Sequence, residues 1–306
     1  MTSAEFLFQQ FAEAGDIGPA SDYVLEKLPD GEYESAELSS LTLDNPKGKN
    51  VSGSIVWFPK GKRKALDAIK FTVMAHSQDC TFYFLRIPRG TAFRLNGPGH
   101  SVLNLNVTGF KMMIRTGSGD NVQTPGCRAI IGEGSFCGGA SAVLIDTTLA
   151  IKKGSLWSDG ILVQGTNQHG IVDLETMETV EYPRNRITLE PHAWIARRAI
   201  LCAGAHIGAG SIVGTGALVA NRVPAACIVG GNPARIIKRN RTWSNNLYGL
   251  DDIERAMITE YVVPPPAPAE SRFKALARSA WARATAAGAA GAGIFEAIAT
   301  ATEAFG

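Results

Sequence analysis

The chain has 306 residues, 45% of them hydrophobic, with 30 basic and 28 acidic side chains and a formal charge of +2. That length and apolar content allow one long domain or two ordinary ones with a buried core, while the near-neutral balance supplies no field that would draw nucleic acid or an anionic membrane. The opening MTSAEFLFQQ lacks the basic and apolar regions of a secretory leader, and no apolar run reaches the ~18 residues of a membrane helix, so the expectation is a chain with no transmembrane segment in a reducing cytoplasm.

Residues 1–52 read as a helical and loop segment: Phe6-Leu7-Phe8 with Phe11, then Tyr23-Val24-Leu25, fit one or two short helices, and 31–52 is polar turn text such as Asn45-Pro46. From Ser54 the texture turns β-rich, with SIVWF, IKFTVMA and CTFYFLRI, then the looser runs Ser101–Val107 and Phe110–Arg115. Residues 53–128 therefore predict either irregular β coils or a small separate β-domain. A weak repeat of six opens near residue 129, with Ile131, Cys137 and Val143 at its first position, an excess of two residues, and then Ile151, Trp157 and Val163. Residues 168–188 leave that frame as a polar insertion of the kind that is commonly functional. The cysteines, 80, 127, 137, 202 and 227, are odd in number and scattered; Cys137 and Cys202 fall on repeat positions and read as small core residues.

The stretch Leu189–Pro224 is six hexapeptides in one frame: LEPHAW IARRAI LCAGAH IGAGSI VGTGAL VANRVP. The first position is always a branched aliphatic, from Leu189 to Val219; the fifth is small until Val223; Gly204, Gly210 and Gly216 recur at the fourth. A period of six is neither 3.6 nor 2, and a short repeat of this kind marks a parallel β-helix. Three hexads make one triangular coil, the aliphatic pointing in and the small residue filling the corner. After residue 239, Asp251–Tyr261 predicts a helix with Asp at its start, VPPPAPA at 263–269 an extended linker, and the Ala-rich remainder of 240–306 a helical tail.

The six-residue frame, together with GGNPARIIKR at Gly230–Arg239, resembles the hexapeptide-repeat acyltransferase superfamily. The resemblance runs over about 131–239 and implies a mainly β fold, a left-handed parallel β-helix in the form of a triangular prism, here with an irregular N-terminal α/β extension and a C-terminal helical tail. Within it, Asn167-Gln168-His169-Gly170-Ile171-Val172-Asp173, followed after the insertion by Trp194-Ile195-Ala196, looks most like the sugar and capsular polysaccharide O-acetyltransferases. Their pattern implies His169 as general base and Trp194 as a residue lining the site. Two positions depart from it: the usual Asp before the His is Asn167, and the Gly after Trp-Ile is Ala196. Asn cannot supply a negative charge to an imidazolium, so the orienting carboxylate is sought among Asp159, Asp173 and Glu190.

An acetyl thioester is already activated, so the chemistry needs little beyond a base for the acceptor hydroxyl, and an imidazole suits that at neutral pH. The resemblance implies acetyl-CoA as co-substrate, no metal, a carbohydrate acceptor, and three parallel prisms with the active sites between neighbours. Candidate substrate-binding residues are Trp194, Asn167, Asp159 and Asp173; candidate CoA-binding residues are Ala203, Arg222, Gly231, Pro233, Arg235 and Lys238. Trp194, Ile200, Ile212 and Leu218 occupy the sixth, outward position, which calls for subunit packing, cofactor contact or cover by the C-terminal segment. Competing readings are an amino-sugar nucleotide N-acetyltransferase, a prism of the γ-carbonic anhydrase type, and a non-catalytic scaffold. No glycine-rich phosphate loop precedes residue 130, and His192 and His206 do not have the spacing of that anhydrase's zinc ligands.

Overall fold

The computed structural model of the chain describes residues 2–117, 126–167, 169–180 and 185–262. The linker and helical tail expected after residue 262 lie outside these residues.

Parallel strands stack coil upon coil into long sheets. A first face of nine strands begins at Tyr33–Glu37 and runs through Ile55–Pro59, Thr81–Phe84, Ser101–Asn104, Arg128–Ile131, Thr147–Ile151, Asn185–Leu189 and His206–Ile207 to Arg222–Val223. A second face runs beside it from Leu43–Asp44 to Cys227–Gly230, and Arg235–Arg239 closes it as an antiparallel last strand. The other antiparallel pairing of these faces is at the start, where Tyr33–Glu37 lies against Ile55–Pro59. Among the described residues a third face begins at Phe136–Leu144, with Ile161–Gln164, Ile200–Cys202 and Leu218–Val219 stacked upon it.

In the later coils each hexad builds one side of the prism. Leu189, Ile195, Leu201, Ile207, Val213 and Val219 all point into the core and are at most 3% exposed. Ala193, Ala199, Ala205, Ser211 and Ala217 fill the corners. Buried Ser211 is fully used: its hydroxyl donates to Pro224 O at 2.6 Å and accepts from Cys227 N at 3.1 Å. In the first five of these hexads the fourth position is left-handed whatever residue holds it, whereas Arg222, fourth in the last, lies in a strand. Gly204, Gly210 and Gly216 have φ of +83°, +65° and +68°, and His192 and Arg198 share that conformation at +59° and +58°.

The earlier coils are built from longer strands and filled by aromatics. Phe71 stacks on Phe93 with ring centroids 5.1 Å apart and meets Phe82 edge-on at 5.0 Å. The weak frame between them and the hexads needs one correction. Ala142 and Leu144 point inward instead of Val143, because the pairing register shifts between Cys137 and Ala140, where Gly138-Gly139 forms an irregularity. One inserted residue in a strand exchanges its inward and outward sets.

Helix α1 (Ala4–Glu13) is capped by the Ser3 hydroxyl on Phe6 N. Its Leu7, Phe8 and Phe11 form a second core with Leu103, Leu105, Ile130 and Ala150, all on the outer side of the first face. The segment from α1 to Val24 thus clads the first face over its earlier coils. At the other end, helix α2 (Asp252–Tyr261) starts at the predicted cap, Asp251 Oδ1 accepting from Glu254 N at 2.7 Å. Trp243, ahead of α2, stacks on His192 at 4.3 Å, and Tyr261, at the end of α2, lies 3.8 Å from the Lys153 ammonium. The described C-terminal segment therefore covers the edge between the first and second faces. No helix among the described residues is long and apolar enough to cross a membrane.

Candidate active site

The predicted residues fall on different parts of the prism. The edge where the third face turns into the first carries most of them. Ile161–Gln164 ends there, followed by Asn167 and His169, both exposed at the root of the insertion. One coil on, Ile200–Cys202 ends at Ala203; one further, Leu218–Val219 ends at Ala220-Asn221, and Arg222 follows. The insertion folds back on itself through an antiparallel bridge between Val172 and Thr179. Asp173 is spent on this turn, its Oδ1 accepting from Glu175 N at 2.8 Å and Thr176 N at 3.1 Å. Those bonds, Thr176 first, hold its carboxyl below the ordinary aspartate value. The turn is apolar and no described residue covers it: Leu174 is 83% and Met177 73% exposed.

At the end of the same edge a small cavity of about 70 Å³ is lined by Leu218, Asn221, Arg222, Pro233 and Arg235. Gly231 O accepts from Leu218 N at 3.1 Å and Ala234 N donates to Leu218 O at 2.8 Å, so the Gly231–Ala234 loop lies against the last third-face strand. Arg222 and Arg235 are exposed and make no ion pair with a described carboxylate. Two guanidiniums that no described carboxylate neutralises, beside a loop of backbone, suit a phosphorylated ligand. Lys238 lies farther off, on the closing strand opposite Ile228.

Two predicted residues stand apart. Asp159 sits at the edge between the second and third faces, where its Oδ1 takes Arg197 Nε at 2.7 Å; that bond holds its carboxyl below the ordinary value. Trp194 is on the second face, aligned with Ile212 as the spacing of one coil requires. It is half-buried, with Trp243 lying 6.2 Å away at 53°. The whole first face separates it from His169, so one chain does not bring the two together.

None of the three candidate carboxylates reaches His169. Glu190 lies instead at the end of the first-face strand Asn185–Leu189, its Oε1 3.3 Å from His206 Nε2 and its Oε2 2.7 Å from Lys152 Nζ. Burial opposes its charge, but the bonds from His206 and Lys152 outweigh that and hold the carboxyl down to about 2. Lys152 also reaches Asp22 Oδ2 at 2.8 Å. The His206–Glu190 pair was missed in the sequence because its members sit in neighbouring coils; the available signal was the sixth, outward position that His206 shares with Trp194. Trp243 was missed because it follows the repeats and belongs to no pattern. Among the described residues no three His, Cys, Asp or Glu side chains come together as metal ligands would.

The stacked coils and the decorated edge define a parallel β-helix similar to the hexapeptide-repeat acetyltransferases of sugars. Over 127 residues the chain is 30% identical to the polysialic acid O-acetyltransferase of Escherichia coli O1:K1 / APEC, a match that covers 41% of this chain and 41% of that relative. It is 38% identical over 53 residues to the 2,3,4,5-tetrahydropyridine-2,6-dicarboxylate N-acetyltransferase of Staphylococcus aureus (strain JH9), covering 17% of this chain and 22% of that one. The chain thus spans well under half the length of these curated relatives. Among solved structures, the polySia specific acetyltransferase NeuO shares the fold, with a TM-score of 0.52 at 19% identity over 69% of this chain and 85% of that one. No model of a known protein family matches the chain.

Proposed function

We propose that the chain is an acyltransferase that moves an acetyl group from acetyl-CoA to a sugar hydroxyl of a surface polysaccharide or its precursor, in the cytoplasm. One observation carries this reading: a single edge of the prism bears His169, then Ala203, then the Arg222–Arg235 cavity. A donor anchored by its phosphates at Arg222 and Arg235 would lie along that edge with its acyl end toward His169. Arg235 and Arg222 would hold the phosphates, with Gly231, Pro233 and Lys238 beside them and Ala203 leaving room for the arm. The similarity to a polysialic acid O-acetyltransferase supports a carbohydrate acceptor.

In this mechanism the imidazole of His169 takes the acceptor proton as oxygen attacks the thioester carbonyl. The carbon–sulfur bond then breaks and CoA leaves, with no covalent enzyme intermediate. His169 is free for the role, because no described side chain ties it down. The site is completed between copies in a homotrimer. The exposed Leu174 and Met177 support packing of the insertion on a neighbour, and Trp194 of one copy would reach the His169 of another. Asn167 and Asp173 shape the root and turn of the insertion, and Asp159, paired with Arg197, offers a carboxylate on the facing edge.

The test is thiol release from acetyl-CoA against a panel of glycans, with light scattering for the assembly. His169→Ala should lower transfer roughly 10²–10⁴-fold with circular dichroism and CoA binding unchanged; near-native turnover would sink the assignment. A monomer at micromolar concentration would remove the inter-subunit site. Transfer to an amine in preference to any hydroxyl would favour the N-acetyltransferase reading.

A further inference from the structure

The edge that carries His169 also carries a second imidazole, and that one is oriented. His206 opens the strand His206–Ile207 immediately after the corner at Ala205, in register with Thr188 on the preceding coil and Arg222 on the next. Its side chain points outward and is 30% exposed. Nε2 faces Glu190 Oε1, and Glu190 is itself fixed by Lys152, which the N-terminal segment holds through Asp22. A carboxylate only accepts, so Nε2 carries the hydrogen and Nδ1 is the atom that gives or takes a proton. Nδ1 has no hydrogen-bond partner among the described residues.

The charged groups around it come from each neighbouring element. Arg222 lies in register on the next coil. Arg186 lies on the preceding one, its Nε bonded to Thr188 Oγ1 at 3.0 Å and its Nη1 to Asp16 O. Lys152 and Asp22 stand behind Glu190. The cladding that the N-terminal segment gives the first face ends at Arg186, so among the described residues His206 is at the foot of a ledge made by that segment. Stacked strands are about 4.8 Å apart. Hence His206 sits one coil beyond the root of the His169 insertion and one coil before Arg222.

We propose that His206 is a second catalytic histidine of this edge, an imidazolium whose Nδ1 protonates the departing thiolate. The proposal rests on the acyl-transfer reading above. A donor anchored at Arg222 and Arg235 with its acyl carbon at His169 must pass its sulfur alongside the intervening coil, where His206 stands. The acceptor oxygen forms the new C–O bond and its proton goes to His169. The C–S bond breaks with its electron pair on sulfur, and the Nδ1 proton of His206 passes to that sulfur, giving the ester and free CoA thiol. The proton on His169 returns through water to His206. Glu190 is the positioning residue: it fixes the ring through Nε2 and leaves Nδ1 to carry the proton that the step consumes.

The decisive experiment varies the leaving group. Transfer is measured with acetyl-CoA and with the acetyl thioester of an acidic thiophenol, whose thiolate leaves without a proton. His206→Gln should lower kcat with acetyl-CoA about 10²-fold, and the ratio of mutant to wild-type rates should return to within a few-fold of one with the thiophenol donor. Glu190→Gln should show the same pattern to a smaller degree, whereas His169→Ala should be impaired with both donors. Equal losses with both donors, as a structural role would give, overturn the proposal, and so does an unaffected rate. If the wild type transfers from neither donor, the acyl-transfer reading itself fails and His206 fails with it. A proposal that fails alone is recognised by an active wild type with donor-independent mutants.

Discussion

The early and late coils solve one packing problem in two ways. Between Ile55 and Ile131 the described residues give each turn of chain two strands of four or more residues, and the interior is filled by rings such as Phe71, Phe82, Phe84 and Phe93. Between Trp194 and Val223 the strands are two or three residues long, there are three faces, and each contributes a single aliphatic inward. A wide two-sided coil needs bulk to fill it, and a narrow triangular one has room for only one branched side chain per side. The outer surfaces differ too. The early first face is sealed by Leu7, Phe8 and Phe11, while beyond Arg186, which bonds Asp16 O, no described segment covers the late first face, which carries His206 and Arg222. The candidate chemistry lies where the cladding ends, since only there can outward polar side chains meet a ligand.

This contrast can be broken by cutting the same way into both cores. Phe82→Ala removes a fully buried ring from the aromatic cluster, and rigid neighbours in parallel strands cannot close the gap, so a loss of about 3–5 kcal/mol is expected. Ile207→Val removes one methylene from a late coil and should cost about 0.5–1.5 kcal/mol. Urea unfolding of both variants measures the difference. Similar costs would mean that the early coils relax around the cavity and are not tightly packed.

The border between the regions should carry a pH signature. The carboxyl of Glu190 is held down to about 2 from an ordinary 4.5, so the folded state binds its proton less readily than the unfolded chain. Its contribution is therefore complete above about pH 4.5 and is lost as pH falls toward 2, a span worth at most about 3 kcal/mol. Glu190→Gln should be less stable than wild type by about 2–3 kcal/mol at pH 7, and the gap should close between pH 5 and pH 2. A gap independent of pH would mean that the Lys152 and His206 contacts do not depend on its charge.

The same contrast decides what could be read in advance. In the late coils one hexad is one side, so Leu189, Ile195 and Leu201 announce the prism by spacing alone. The early first-face strands begin at Ile55, Thr81, Ser101 and Arg128, an uneven series whose connecting loops hide any period. The strand Tyr33–Glu37 was hidden in polar text for a related reason: it pairs at the end of the sheet, and of its residues only Tyr33 is buried. Gly138-Gly139 shifted the register without leaving a signal in the frame, which is why Val143 was read inward. Candidate site residues were legible where they hang from a repeat, as His169, Ala203 and Arg222 do. The Glu190–His206 pair and the Trp243 cover were not, because both depend on which side chains meet across coils, and a linear pattern carries no such information.

The smallest effects test the late coils at their corners. His192 and Arg198 both hold the left-handed position that Gly204, Gly210 and Gly216 take without strain. A side chain there costs about 1–2 kcal/mol, against which glycine loses about 0.5–1 kcal/mol through the freedom it gains in the unfolded chain. Arg198 keeps its backbone bond to Asp159 O in any variant, and its guanidinium makes no ion pair with a described carboxylate. Arg198→Gly should therefore stabilise the protein slightly, by about 0.5–1 kcal/mol. The same substitution at His192 should go the other way. Burial keeps that imidazole below its ordinary pKa, and in its neutral form Nε2 donates to Trp243 O at 3.1 Å while the ring stacks on Trp243. His192→Gly relieves the same strain but leaves the Trp243 carbonyl unpaired and the indole without its stacking partner, a loss of about 1–3 kcal/mol for the first alone. It should destabilise by about 1–2 kcal/mol net, and it should loosen the cover over Trp194, seen as a red shift and stronger quenching of tryptophan fluorescence. Equal effects at the two corners would show that the Trp243 contact contributes nothing to holding the C-terminal segment on the prism. Opposite signs would show that the side chain at His192 gains more from what it touches than it loses to strain, and that the one at Arg198 does not.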